Sequence, residues 1–216
     1  LDPEDKGVLL SIIGEIRPKI GDTEAGLTEL RESLALLDPV DPELAASCRI
    51  RLAYALGTAG QFEEAETIGL SALERITANG WTEMEPTIND FMARLCMFTR
   101  RPEQTLQYAR TAKQSWTPNS TVLEAQVDYS LGEAECNMLN FDAGYRWLRR
   151  ALEKASPMGN QTTGYMLALC QPMVQLFRTK EAVSFMELAH ARAQRSGQVV
   201  HQIYALAYLA GVRVTL

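Results

Sequence analysis

With 216 residues, 46% of them hydrophobic, the chain is long enough to bury a sizeable core. A formal net charge of −6 leaves no excess of the positive charge that phosphate binding needs, so no direct nucleic-acid contact is expected. No apolar run approaches the roughly 18 residues of a membrane span and no signal-peptide pattern opens the chain. The expectation is a cytoplasmic protein that does not cross a membrane.

In chain order, two alternating kinds of break divide helical segments. A first pair is predicted over 4–38, turning at Gly21-Asp22 and ending at Asp38-Pro39-Val40-Asp41-Pro42. A second, 41–78, turns at Gly60-Gln61 and ends at Asn79-Gly80; a third, 83–117, turns at Arg101-Pro102 and ends at Thr117-Pro118-Asn119. The fourth, 120–156, turns at Leu139-Asn140 and ends in Ser156-Pro157-Met158-Gly159-Asn160. The fifth, 160–196, turns at Arg178-Thr179-Lys180, and a partial repeat fills 199–216 after Ser196-Gly197. Between breaks the apolar residues keep helical spacing, as in Leu27, Leu30, Leu34 and Leu37. Asp41-Pro42 reads as an N-cap followed by a proline at the first helical position, and Pro102 opens its helix likewise. Pro172 sits inside a helical stretch and predicts a kink or an early end there.

The pairs share one period. Gly26, Ala65, Thr105, Gly144 and Ala182 follow one another at 39, 40, 39 and 38 residues. In the same register stand Ser33, Ala72, Ala112, Ala151 and Ala189, and Gly14, Ala53, Ala93, Gly132 and Cys170. Small residues at three fixed places per repeat require two helices packed backbone-close, each unit burying its apolar face on the next. The predicted fold is all-α: a right-handed α-α superhelix of about five helix pairs plus a final helix, read as a single domain over 1–216.

Residues 1–108 carry 19 acids against 10 bases, residues 109–216 carry 8 against 11. That asymmetry fits drift among solvated faces, or attraction between copies or to a flanking domain. Cys48, Cys96, Cys136 and Cys170 are dispersed one per repeat and read as small core residues in a reducing compartment. Two sequons, at Asn119 and Asn160, fall in predicted loops made of ordinary loop formers.

Leu52-Ala53, Gly60-Gln61-Phe62, Ala65, Gly69 and Ala72-Leu73 together resemble the tetratricopeptide-repeat (TPR) signature. So do Leu131-Gly132, Asn140-Phe141, Gly144, Leu148 and Ala151-Leu152, and less closely Ile13-Gly14 through Ser33-Leu34. The third and fifth repeats depart from it, with Pro102 and Lys180 or Glu181 near the place of the turn aromatic. The familiar unit has about 34 residues, and the longer period here resembles repeats of bacterial multidomain regulators such as large LuxR-type activators and TPR-bearing cyclases. The resemblance implies that the first helix of each pair lines a concave face. Carried over, that face presents Ser47, Arg51, Tyr54 and Thr58, then Asp90, Phe91, Arg94 and Met97. Further along it presents Gln126, Tyr129, Glu133 and Asn137, then Gln171 and Gln175. Amide, aromatic and single-charge groups suit an extended peptide. The basic clamp of chaperone-tail-binding TPRs is not matched, since the first repeat offers Val8, Ser11, Ile12 and Glu15.

Arg146, Arg149, Arg150 and Lys154 lie along one helix and read as a solvated face or a patch for an acidic partner. Val199, Val200, Ile203, Leu206, Tyr208 and Leu209 make the last helix apolar around much of its girth. A solenoid needs a polar cap, so the expectation is a piece of a longer protein or an end covered by a second copy. The opening Leu1-Asp2-Pro3 reads as a domain boundary. No catalytic motif occurs, His190 and His201 lie on different helices, and no cofactor or metal is expected. The functional expectation is a non-enzymatic protein- or peptide-binding scaffold, with a sensor segment of a larger signalling protein as the alternative.

Overall fold

A computed structural model describes residues 2–115, 121–155 and 162–213. The sequon asparagines Asn119 and Asn160 and the breaks at 117–119 and 156–160 lie outside the described residues. Eleven α-helices and one short 3-10 turn make up the secondary structure, with no strand among the described residues. They are α1 (Pro3–Ile16), α2 (Thr23–Leu37), α3 (Pro42–Thr58), α4 (Phe62–Asn79), α5 (Glu85–Phe98) and α6 (Pro102–Gln114). After these come α7 (Thr121–Asn137), α8 (Phe141–Ala155), α9 (Thr162–Gln175), α10 (Thr179–Arg195) and α11 (Val199–Arg213). The expected five pairs and final helix are all present. Contacts group the chain into two compact units, Leu1–Arg100 with Thr111–Thr117, and Arg101–Arg110 with Pro118–Leu216.

Helix starts follow their local chemistry. The Asp41 carboxylate accepts from the backbone N–H of Glu43 and of Leu44 at 2.9 Å, with Pro42 in the first helical position. Asp2 caps α1 through the Asp5 N–H at 2.8 Å. Pro172 does not divide α9, which runs unbroken from Thr162 to Gln175 with the proline inside and buried. Having no N–H, the proline forfeits one backbone bond there.

All fifteen small residues of the repeating register are buried. In the first unit, a Cβ added to Gly26 would lie 2.8 Å from the Gly14 carbonyl oxygen, so α1 and α2 touch through their backbones. In the second, a Cβ on Gly144 would lie 3.0 Å from the Gly132 carbonyl, giving α7 and α8 the same contact. Neighbouring pairs are tied laterally. In the first unit Asp38, which follows α2, bridges Arg49 of α3 (2.8 Å) and Arg75 of α4 (3.1 Å), while inside the first pair the Ser33 hydroxyl of α2 donates to the Gly7 carbonyl of α1 at 2.7 Å. In the second, Cys136, Leu148, Leu169, Cys170, Met173, Met186 and Leu209 form one apolar cluster joining α7 through α11. All four cysteines are buried and none forms a disulfide.

The turn inside each pair uses one left-handed residue at a constant register: Gly21, Gly60, Arg100, Leu139 and Phe177, with φ of 92°, 78°, 58°, 64° and 59°. Glycine takes this conformation freely; the other three do not. These turns place the ends of the first helices at one edge of each pair, which is where the candidate site of the first unit lies.

Candidate functional site: an aromatic cavity in the first unit

Residue spacing along α3 and α5 brings four of the expected partner-facing residues together. Tyr54 of α3 stacks at a tilt on Phe91 of α5, their ring centroids 4.8 Å apart, and its hydroxyl lies 3.2 Å from Asp90 Oδ2. Arg94, one turn further along α5, sets its guanidinium 5.7 Å from the Tyr54 ring centre and 4.0 Å from Asp90. Asp90 is fully buried and Phe91 nearly so. Burial foremost, and then the neighbouring Asp90 charge, pushes the Tyr54 phenol above its ordinary value, so it stays protonated as a donor.

Beside this cluster opens a cavity of about 430 Å³. Tyr54, Phe91 and Arg94 line it together with Phe62 and Phe98, whose rings stack with centroids 6.3 Å apart and 11° between planes. Gly57, Thr58 and Gly60 contribute the end of α3 and its turn. Phe62 carries a signal in the sequence, as the turn aromatic of the repeat signature, but is not among the expected partner-facing residues. Phe98 carried none, since it follows the last apolar position that the helical spacing marks. Size and lining match a ligand pocket, mainly apolar with a few placed polar groups.

The other expected residues are placed elsewhere. Arg51 is committed to α1, with the Ser11 hydroxyl at 2.6 Å and Glu15 at 3.1 Å. In the second unit Tyr129 of α7 tilts against Tyr165 of α9 at 4.9 Å. Glu133 is half-buried on α7, and burial pushes its carboxyl up to about 7. Gln126 and Gln171 are half-buried; Asn137 and Gln175 are exposed at the ends of α7 and α9. Of the basic row on α8, Lys154 pairs with Glu124 at 2.6 Å and with buried Asp128, and Arg149 with Glu153 at 3.0 Å. Arg150 lies over the Trp147 ring at 5.1 Å. His201 is held by the Gln198 side chain at 2.8 Å. On α11, Val199, Val200, Ile203, Tyr204 and Leu206 are exposed while Ala205, Leu209 and Val212 are buried. Among the described residues no group of three His, Cys, Asp or Glu side chains is gathered as a metal site, and no helix is long and apolar enough to cross a membrane.

No protein-family model matches the chain, and no curated protein does. Solved structures do. A signal transduction ATPase with numerous domains and a tetratricopeptide repeat sensor, from Pyrococcus horikoshii, is 18% identical with a TM-score of 0.78, covering 98% of this chain and 33% of that one. A Rap protein complexed with competence and sporulation factor is 12% identical with a TM-score of 0.78, covering 96% and 62%. A putative kinesin light chain with TPR-like repeats, from Podosopora anserina, is 11% identical with a TM-score of 0.69, covering 92% and 99%. The chain thus spans a third of the first of these proteins and less than two thirds of the second. Period, buried small-residue register and structural likeness agree: the fold of this chain is the all-α tetratricopeptide-repeat fold.

Proposed function

We propose that this chain is a non-catalytic protein- or peptide-binding scaffold whose contact surface is the concave face formed by the first helices of its pairs. One observation carries the reading. Tyr54, Phe91 and Arg94 present aromatic surface and a cation around an open cavity, an arrangement that packing alone gives no reason to leave unfilled. The Rap structure, similar in fold, holds competence and sporulation factor, which supports a partner of protein or peptide kind. Four buried cysteines outside any disulfide favour the cytoplasm. The exposed apolar stripe of α11 is read as a contact for a second copy. To test the groove, partner capture by the full chain is compared with Arg94→Ala plus Tyr129→Ala; lost capture is expected, and undiminished capture removes the groove from consideration.

A second reading is a sensor segment of a larger signalling protein, in which a bound effector controls an attached output domain. It is favoured by the likeness to the ATPase with a tetratricopeptide repeat sensor, of which this chain spans 33%. The complete reading frame decides: a helix-turn-helix or cyclase domain alongside supports the sensor, and its lack leaves the scaffold.

A further inference from the structure

We infer that the cavity between α3 and α5 is a side-chain receptor for one aromatic or branched aliphatic residue of a partner polypeptide, read together with a carboxylate on the residue next to it. This rests on the peptide-binding reading above and names what that site selects. Three features carry it.

First, the volume of about 430 Å³ exceeds what a ring alone requires, since an apolar cavity of roughly 150 Å³ already takes benzene. There is room for a ring or branched side chain with its adjoining backbone. Tyr54, Phe62, Phe91 and Phe98 supply the aromatic surface, and Thr58 spends its hydroxyl internally on the Tyr54 carbonyl at 2.9 Å. The occupant's buried part is therefore apolar.

Second, Arg94 is the charged residue of the cavity wall. Arg17, Arg31, Arg49 and Arg51 each reach a carboxylate at 2.6–3.1 Å, whereas Arg94 shares the Tyr54 side chain with Asp90, lying over its ring and in reach of its hydroxyl, and stands 4.0 Å from the Asp90 carboxylate. Arg94 is half-buried, and a guanidinium has five N–H donors. Its position at the wall matches a carboxylate entering beside the apolar group, through a charge-assisted pair.

Third, Gly57 lines the cavity although helix packing does not demand a glycine there. It lies in α3 with no left-handed φ, and a Cβ would meet only Phe91, at 3.5 Å, an ordinary contact. By contrast a Cβ on Gly14, Gly26, Gly69 or Gly132 would come within 2.9 Å of a neighbour. Glycine weakens a helix relative to alanine, so what Gly57 preserves is the open volume.

The test is a ¹H–¹⁵N titration of the full chain with capped pentapeptides carrying a central Phe-Asp, Phe-Lys or Ala-Asp pair in a Gly/Ser background. The expected result is saturable shifts at the Gly57, Gly60 and Leu95 amides for Phe-Asp, weaker by about five- to twentyfold for Phe-Lys and absent for Ala-Asp. Gly57→Leu fills the cavity and removes the shifts. Arg94→Gln keeps Phe-dependent binding and abolishes the Asp-over-Lys preference, and so still decides the matter if the leucine variant folds poorly. Equal binding of all three peptides, or no shifts at these amides, overturns the assignment. Shifts confined to Gln126 and Tyr129 overturn it while sparing the groove reading; silence at both places counts against the groove as well.

Discussion

Gly132 of α7 and Gly144 of α8 meet backbone to backbone: a Cβ on Gly144 would stand 3.0 Å from the Gly132 carbonyl oxygen and 3.2 Å from the Cys136 N–H, and would overlap the Cys136 sulfur. Helices so close gain dispersion along their whole length, and nothing at the crossing can yield except by moving a helix. Gly144→Ala should therefore destabilise by about 1–3 kcal/mol, the usual scale of overpacking, despite the better helix propensity of alanine. Gly211→Ala, where nothing lies within 4 Å, is the matched control and should be neutral or stabilising. Denaturant unfolding of both variants checks the contrast; equal effects would dismiss the backbone-contact account.

The repeat was legible because this contact imposes itself on the sequence. Gly14, Gly132, Ala53 and Ala93 cannot be large, so the period shows even where the turn aromatic is replaced by Pro102 or Lys180. The candidate site was legible only as far as helical register carries. Tyr54, Phe91 and Arg94 lie where the register expects them, yet register does not show that Arg51 is engaged by Glu15 and Ser11 of the preceding pair. That depends on how far apart α1 and α3 stand, a tertiary quantity. Gly57 and Phe98 were missed for a related reason: a cavity is defined by what is lacking between helices, and no single residue signals it.

Phe177 is 96% exposed and holds φ at 59°, in the register position that Gly21 and Gly60 occupy earlier. A left-handed backbone costs an ordinary residue roughly 1–2 kcal/mol, part of which glycine returns through its freer unfolded chain. The side chain makes no compensating burial. Phe177→Gly is expected to stabilise by about 0.5–1 kcal/mol, read as a rise in the urea midpoint at unchanged slope. A fall in midpoint would mean that the ring contributes to the folded state.

Glu133 sets a pH dependence whose sign follows from its environment. Burial raises its folded pKa to about 7, against an ordinary 4.5; Tyr208 and Cys136 are pushed up by their own burial first and by the Glu133 charge second. The folded form then binds the proton more tightly than the unfolded chain. Its contribution is fully present below about 4.5, is lost progressively as pH rises through about 7, and is flat above. Glu133→Gln should match the parent below about pH 4.5 and exceed it by a growing margin as pH rises through about 7. Parallel thermal melts across that window measure the gap, and a gap that stays constant with pH sinks the assignment.

The stripe on α11 makes a prediction about association. Val199, Val200 and Ile203 are each 61–63% exposed, and fully burying such side chains contributes roughly 1.5–3 kcal/mol apiece. Doubled across a symmetric contact and discounted for partial exposure, the gross gain of about 6–11 kcal/mol is of the same size as the ~4–15 kcal/mol cost of association. A weak dimer that forms with rising concentration is the expected state. Sedimentation equilibrium of the parent should show it, and Val200→Lys with Ile203→Lys should remain monomeric, since a lysine on that face brings like charges together in the paired copies. Two proteins that sediment alike, whether as monomer or as dimer, would detach α11 from self-association and leave its stripe to a different chain.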